Sequence, residues 1–132
     1  MVARNDLAVS SPVKDVSAAH PVATAWRPVL CEIVRAFAHG DYGLIEAVAG
    51  VDALSHEAAE QIRAYVADYG ATLVELPSDT WDTSCAQWMG EHWEVLVDLW
   101  TKEEGRSDLV LALKVVEVGD KPRFGIQLVY VP

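Results

Sequence analysis

The C-terminal half of the chain contains three segments in which apolar residues recur at every second position, and this pattern constrains the fold more than any other feature. The segments are WEVLVDLW (93–100), DLVLALKVVEV (108–118) and RFGIQLVYV (123–131). A period of two in segments rich in β-branched and aromatic residues is typical of strands that bury one face. Only short turn-forming stretches separate the segments, so they predict an antiparallel sheet of consecutive hairpins.

The charged stretch between the first two segments has the composition of a hairpin loop. Glu103, Glu104 and Gly105 predict a three-residue loop whose glycine takes the left-handed conformation. This loop fixes one cross-strand register, because a slip by one residue would turn the apolar row toward solvent. The expected pairs are Trp93–Val115, Val95–Leu113, Val97–Leu111, Leu99–Leu109, Glu94–Lys114 and Lys102–Arg106. We interpret the charged cluster as a solvated loop and not as a working site.

The second hairpin is predicted to turn at GDKP (119–122) with four loop residues, which keeps Pro122 out of the hydrogen-bonded ladder. The expected pairs are Val115–Ile126, Leu113–Leu128 and Leu111–Tyr130. With this register one face stays apolar over all three strands.

The preceding part of the chain has a period of 3.6, which is typical of helices. Three helices are predicted, each bounded by residues that favour helix ends. They are WRPVLCEIVRAFAHG (26–40), YGLIEAVAG (42–50) and HEAAEQIRAYVADYG (56–70). Pro28 suits the first turn of the first helix, Asp41 would cap the second and Ser55 the third.

These elements predict an α+β fold with three N-terminal helices packed on one face of a curved antiparallel sheet of about four strands. The fourth strand is expected near residues 83–88. Residues 1–23, which combine Ser, Pro, Ala and scattered charges, are expected to form a mobile N-terminal arm. Residues 24–132 are expected to form a single domain, because this length is that of one domain with its own core.

The sheet face that points away from the helices is predicted to be only partly polar, whereas a solvated face is normally polar. Its apolar residues are expected to be Leu96, Ala112 and Val129 side by side, with Trp100, Val110 and Val131 near one end. Something is therefore expected to cover this face. Symmetric pairing with a second copy is the first hypothesis, and coverage by the N-terminal arm is the alternative.

The composition is strongly acidic. Asp and Glu number 20 against 10 Lys and Arg, so the formal net charge is −10 and the pI is near 4.6. That balance disfavours nucleic acid and anionic membranes, because phosphate binding needs clustered Lys and Arg. It suits a basic protein partner, although acidity also serves solubility on its own. No segment is a spanning helix, and two cysteines do not make a disulfide framework, so a cytoplasmic location is expected.

Aromatic and acidic residues occur together in one irregular segment. Trp81 and Trp88 flank it, and Asp79 and Asp82 lie nearby. Exposed rings beside carboxylates suit an interface with a basic protein, because rings anchor and carboxylates steer. The alternative is that the rings close the end of a small core. The predicted partner-binding residues are Asp79, Trp81, Asp82, Trp88, Asp98, Trp100, Val110, Val129 and Val131.

Catalytic and metal-binding patterns are scarce. The four histidines form no H-x-H or H-E-x-x-H spacing, and neither a glycine-rich phosphate loop nor a nucleophile motif occurs. Asp98 is the catalytic candidate, because a carboxylate among apolar groups can act as a general base. It is expected to point away from the helices, where a cone-shaped fold does not place catalytic groups. An enzyme is therefore disfavoured, and no cofactor and no metal are expected.

The order of helices followed by a sheet resembles, in topology, the cystatin-like and nuclear-transport-factor-two-like cones, which include enzymes, binding modules and immunity proteins. The segment LWTKEEGRSDL (99–109), with AHGDY (38–42), also resembles a family of small uncharacterised bacterial proteins. Its members share a Leu-Trp-Thr-x-Glu-Glu-Gly-Arg-Ser-Asp-Leu hairpin. The resemblance covers about residues 26–130 and implies a bacterial, cytoplasmic origin but no activity.

Three hypotheses follow. The first is a protein-interaction domain, in particular an immunity-type protein that neutralises a basic toxin such as a nuclease. The second is a cone-fold enzyme or small-molecule carrier with a pocket between helices and sheet. The third is a homodimeric structural or regulatory domain joined through the mixed sheet face.

Overall fold

The structure, a computed structural model, describes residues 9–132. Over this range the chain forms two α-helices and one antiparallel sheet with strand order β1-β2-β3-β4-β5. The elements are β1 His20–Pro21, α1 Arg27–Ala38, α2 His56–Tyr69, β2 Cys85–Trp88, β3 Trp93–Thr101, β4 Gly105–Val118 and β5 Lys121–Tyr130. Short 3₁₀ helices at Thr24–Trp26 and Ser78–Asp82 precede α1 and β2.

The two α-helices form where the sequence predicts the first and third helices. In α1 the apolar stripe of Leu30, Ile33, Val34 and Phe37 is fully buried. In α2 the side chain of Ser55 accepts a hydrogen bond from the N–H of Ala58 at 3.0 Å, which satisfies one of the free donors at a helix start. Gly70 ends α2 in the left-handed conformation, at φ +87°.

The predicted second helix, over residues 42–50, is wrong, and the fold has two α-helices instead of three. Asp41 accepts a hydrogen bond from the N–H of Ile45 at 3.1 Å, as a helix cap would, but Leu44 has a φ of +52° and breaks the helical path. Tyr42 and Leu44 pack against the core, but Ile45 is 89% exposed, so the segment does not bury the continuous apolar stripe of a helix. A helix this short is not stable without such burial. The end of the segment bonds to β5 instead, where the N–H of Phe124 donates to the carbonyl of Gly50 at 2.9 Å.

The sheet has five strands, and the prediction of about four is also wrong. The additional strand is β1, which pairs with β2 although it comes from the predicted N-terminal arm. Val22 and Ala23, directly after β1, are buried in the core. The boundary at residue 23 and the mobility of the arm stay predictions, and residues 1–8 lie outside the described residues. The fold class remains α+β.

The β3–β4 hairpin confirms the central part of the predicted register. The confirmed pairs are Trp93–Val115, Glu94–Lys114, Val95–Leu113 and Val97–Leu111. Near the loop an irregularity shifts the register, and Arg106 pairs with Trp100 instead of Lys102. The loop therefore ends at Glu104, and Gly105 opens β4 with a φ of +75°.

The predicted register of the β4–β5 hairpin is wrong. The observed pairs include Val115–Phe124, Leu113–Ile126, Ala112–Leu128, Leu111–Val129 and Val110–Tyr130. The turn contains only Gly119 and Asp120, and the φ of +68° at Gly119 suits such a tight turn. Pro122 lies inside β5, which tolerates a proline because β5 is an edge strand.

A second irregularity, between Ala112 and Leu113, changes which side chains of β5 face the helices. One strand gains a residue at such a bulge, so every side chain beyond it changes face. Val129 therefore points into the core and is 3% exposed, while Leu128 points away and is 45% exposed. The prediction placed these two residues on the opposite faces.

Both helices contribute to a single hydrophobic core on one face of the sheet. Four aromatic rings contact one another in this core. The ring of Trp26 lies edge-on to those of Trp93 and Phe124, with centroid distances of 5.1 Å and 6.0 Å. The centroid of the Trp88 ring lies 4.6 Å from that of Trp93. The buried side chains of α1, α2 and the sheet form one contiguous cluster, so the space between helices and sheet is filled.

Candidate protein-binding surface

The sheet face that points away from the helices, here termed the open face, carries a continuous line of apolar side chains. Strand pairing aligns one residue of each strand, and these five residues are termed the apolar row. They are Pro21, Cys85, Leu96, Ala112 and Leu128. Pro21 and Leu128 are exposed and the other three are half-buried. A solvated sheet face is normally polar, so this row is unusual for a surface.

Charged and polar groups border the apolar row on one side. Glu94 and Lys114 are cross-strand partners on β3 and β4, and both are exposed. They line a groove of about 440 Å³ together with Leu96, Ala112 and Leu128 of the row. Because opposite charges stand on either side of one strand pair, this part of the open face has no strong net charge.

The other border of the open face is acidic. The term acidic end is used for four carboxylates, those of Asp79, Asp82, Asp98 and Asp108. Asp98 and Asp108 line a depression of about 480 Å³ with Val110 and Val131. The two remaining acids belong to the 3₁₀ helix Ser78–Asp82, which contacts β3.

Hydrogen bonds hold the 3₁₀ helix against β3 at Asp98. The hydroxyl of Thr80 donates to the carbonyl of Asp98 at 2.7 Å, and the N–H of Asp98 donates to the side chain of Ser84 at 2.9 Å. The hydroxyl of Thr83 donates to the Asp98 carboxylate at 2.5 Å. These bonds hold the segment that contains Asp79 and Asp82 beside β3.

The structure brings together only part of the predicted partner-binding set. Asp98, Trp100, Val110 and Val131 lie on the open face or at its acidic end, and Val110 is only 6% exposed. The side-chain N–H of Trp100 is buried and has no partner among the described residues.

Asp79 and Asp82 are exposed at the acidic end, and the three remaining members of the predicted set lie toward the core. Trp88 packs on the ring of Trp93, and Trp81 packs against the core beneath the guanidinium of Arg27, which lies 5.4 Å from its ring centroid. Val129 is buried. These three side chains do not line either depression of the open face.

Sequence reasoning missed several residues of the open face. Pro21 lies in the predicted arm, and the predicted register places Leu128 toward the helices. The irregularity between Ala112 and Leu113 decides the face of Leu128, and it has no signal in the sequence. Asp108, also missed, stood in the charged stretch that was interpreted as a loop.

The loop between β3 and β4 bonds to the segment after α2 and is more than a solvated turn. Glu103 accepts hydrogen bonds from the N–H of Thr72 at 2.8 Å and from its hydroxyl at 3.0 Å. These bonds, the N–H of Thr72 first, lower the pKa of Glu103 below its ordinary value. The N–H of Lys102 donates to the carbonyl of Thr72 at 2.9 Å. The charges of this loop therefore serve the fold.

Groups for covalent or metal chemistry are not assembled in the part of the chain that the structure describes. No three His, Cys, Asp or Glu side chains of residues 9–132 are placed to hold a metal ion. Cys31 and Cys85 are free thiols, and burial raises the pKa of each, so the protonated form is favoured. No helix within this range is long and apolar enough to cross a membrane.

Comparison with known families adds one assignment. Residues 34–132 match the family described as "Domain of unknown function (DUF7668)". The chain belongs to the DUF7668 family. No curated protein and no solved structure matches the chain.

The part that matches the DUF7668 family contains most of the surface described above. It includes α2 and strands β2 to β5, with four residues of the apolar row and the whole acidic end. It begins inside α1, at Val34, so β1 and Pro21 precede it.

Proposed function

We propose that this DUF7668 domain is a protein-interaction module that binds a basic protein through its acidic end. The observation that carries the proposal is that Asp98 and Asp108 line one surface depression while none of the four carboxylates has a cationic partner within residues 9–132. None of the ion pairs within residues 9–132 includes Asp79, Asp82, Asp98 or Asp108. Elsewhere acids do find cations, as Glu117 does with Lys14 at 2.8 Å.

The shape and composition of the acidic end support the binding of a protein surface. Asp98 and Asp108 line a depression together with the cation Arg106, and Val110 and Val131 supply apolar surface to the same depression. An apolar floor with a charged border is the usual arrangement of a protein interface, because the centre excludes water and the border steers and orients. A Lys or Arg side chain that enters the depression would meet two carboxylates and lay its aliphatic stem on valine.

Two other functions have less support. The cluster of side chains that fills the space between helices and sheet leaves little room for the small-molecule site that a cone fold would need. The net charge of −10 opposes binding to nucleic acid and to anionic lipid surfaces. The likeness to cone folds stays a prediction and lends no support to catalysis, for which Asp98 stays the candidate.

Neutralisation of a basic toxin, such as a nuclease, is the form of this function that we favour. Immunity-type proteins are small and acidic and need no catalytic groups, and this chain shares those properties. A bacterial cytoplasm, which the hairpin resemblance implies, is the expected site of such binding. A toxin gene beside the gene of this chain would give direct support.

The test compares two variants that each lose four negative charges. The first removes the acidic end, as D79N/D82N/D98N/D108N. The second removes four exposed acids that lie on the helices and the α1–α2 connection and take part in no ion pair within residues 9–132, as E32Q/E46Q/E57Q/D68N. Proteins captured from extracts of the native host by the wild-type chain are identified, purified and titrated against both variants.

We expect a captured basic protein whose affinity falls about tenfold or more with the first variant and little with the second. Binding of the wild type should also weaken steeply as salt rises from about 50 mM to about 300 mM, because surface charges are then screened. Equal losses for the two variants would reduce the effect to net charge and overturn the proposal. Capture of no basic protein would overturn it as well.

A further inference from the structure

The apolar row is not covered by any described part of the chain, although it crosses the whole sheet. Leu128 is 45% exposed at one end, and Pro21 is exposed at the other. The N-terminal segment does not lie on it. Residues of that segment bond to side chains of β2 and β3 instead: the carbonyl of Val13 accepts a hydrogen bond from the indole N–H of Trp93 at 3.0 Å, and the carbonyl of Val16 accepts one from the side-chain amide of Gln87 at 3.1 Å.

The charges beside the row differ from those of the acidic end. Glu94 and Lys114 are opposite in sign and stand directly across from each other on β3 and β4. A basic partner would be attracted by the first and repelled by the second. A surface with the same two charges in exchanged positions would satisfy both.

A second copy of the chain provides that surface. A two-fold axis parallel to the strands and midway between β3 and β4 exchanges these two strands when two open faces meet. Glu94 of each copy then faces Lys114 of the other, and Leu96 faces Ala112 in the same way. The same rotation exchanges β2 with β5, so that Cys85 faces Leu128 of the second copy.

We infer that the domain forms a homodimer in which two open faces pack together across their apolar rows. Every member of the row from β2 to β5 then meets an apolar residue, and Glu94 and Lys114 each meet a residue of opposite charge, while Asp98 of each copy faces Val110 of the other. Such self-complementarity is what an isologous interface requires. The sheets would stack about 10 Å apart, as in sheet-on-sheet packing. The inference goes beyond the proposed function and does not depend on it.

Sedimentation velocity on the full chain, at about 1 to 100 µM, tests the dimer. The decisive variant is Leu128→Lys, and the matched control is Ile45→Lys, which changes an 89% exposed apolar residue outside the open face. We expect the wild type and I45K to be dimeric and L128K to be monomeric with an unchanged circular dichroism spectrum. A monomeric wild type over this range, or identical behaviour of the two variants, would overturn the inference.

Charge reversal tests the orientation of the two copies. E94K and K114E should each weaken the dimer about tenfold, because each places like charges opposite one another across the interface. The double variant E94K/K114E should restore it to within about threefold of the wild type. If Glu94 and Lys114 interacted only within one chain, the single variants would change the free energy of unfolding but not the sedimentation coefficient. A double variant that dimerises no better than the single ones would contradict this axis.

A crosslink between unlike strands gives a direct check. In a C31S background, Leu128→Cys would face Cys85 of the second copy at about 10 Å, a gap that a short bismaleimide spans. Within one chain the two positions are three strands apart, about 14 Å, so the intended product joins two chains. A dimer-sized product should form with L128C and should disappear with C85S/L128C. Products of equal yield in both would overturn the geometry.

Dimerisation and binding of the basic protein can be tested independently of each other. L128K should still bind the basic protein, because the acidic end is intact in it. The variant D79N/D82N/D98N/D108N should still sediment as a dimer, because the apolar row is intact.

Discussion

The hydroxyl of Tyr69, the last residue of α2, donates a hydrogen bond to the carboxylate of Glu104 in the β3–β4 loop at 2.9 Å. The same hydroxyl accepts one from the N–H of Asp108 at 3.2 Å. One side chain thus joins the end of a helix to both sides of a hairpin. Because Asp108 belongs to the acidic end, this bond also fixes the position of one of the proposed binding groups.

Loss of the Tyr69 hydroxyl should release the hairpin locally. In Tyr69→Phe the N–H of Asp108 loses its acceptor, so its hydrogen exchange should quicken about tenfold while the core strands exchange as before. The matched control is Tyr65→Phe, since Tyr65 accepts a bond from the N–H of Val131 at 3.2 Å. There the faster exchange should appear at Val131 instead. Faster exchange over the whole sheet in Y69F would show a global role and contradict the prediction.

The burial of Val129 near the end of β5 can be tested against the exposed Val131. Val129→Asp buries a charge in the core and should lower the free energy of unfolding by more than about 3 kcal/mol. Val131→Asp, at a side chain that is 41% exposed, should change it by less than about 0.5 kcal/mol. Urea unfolding followed by tryptophan fluorescence measures both. Similar losses in the two variants would contradict the burial of Val129.

The start of β4 depends on a glycine. Gly105 has a φ of +75°, and a Cβ there would lie 3.8 Å from the ring of Trp100, so the strain of Gly105→Ala is in the backbone and not in a clash. We expect a loss of about 1 kcal/mol in the free energy of unfolding. Gly43 has a φ outside the left-handed region and open space around it, so Gly43→Ala serves as the control and should be neutral or slightly stabilising. Equal effects at both sites would contradict this account.

Acid should weaken the turn that leads into β1. Hydrogen bonds from the Ser17 hydroxyl, from His20 and from the Ser17 N–H lower the pKa of Asp15 from 3.8 to about 2. Because the folded pKa lies below the unfolded one, the stabilisation is complete above about pH 4 and is lost as pH falls toward 2. The difference in unfolding free energy between the wild type and Asp15→Asn should therefore shrink over this window. A difference that stays constant from pH 5 to about pH 2 would refute the assignment.

The sequence was sufficient to predict the elements whose local pattern and tertiary burial agree. The helix α2 has a capping serine, a terminal glycine and an apolar stripe that the sheet covers. The pair Glu94–Lys114 was predictable because apolar and polar residues alternate in β3, and only one cross-strand register keeps its apolar residues on the buried face. In these cases each local preference supports the same structure.

The remaining features depend on choices that local pattern does not reveal. The segment QLVYV (127–131) is apolar at both parities, so a shift by one residue in β5 leaves no mark in the sequence. Strand β1 has only two residues and forms because Cys85 and Ala86 offer a free edge. The segment 42–50 has a helical pattern, but only Tyr42 and Leu44 of its apolar residues near Ile45 pack against the core, and Ile45 stays in solvent.

Hydrogen–deuterium exchange of the purified complex with the captured basic protein tests the central claim most directly, because it locates the bound surface on the wild-type chain. Protection is predicted in residues 78–84, in the paired positions Asp98 and Val110, and at Asp108, with α1 and α2 exchanging as in the free protein. Protection confined to the two helices, with the acidic end unchanged, would contradict the proposed binding surface.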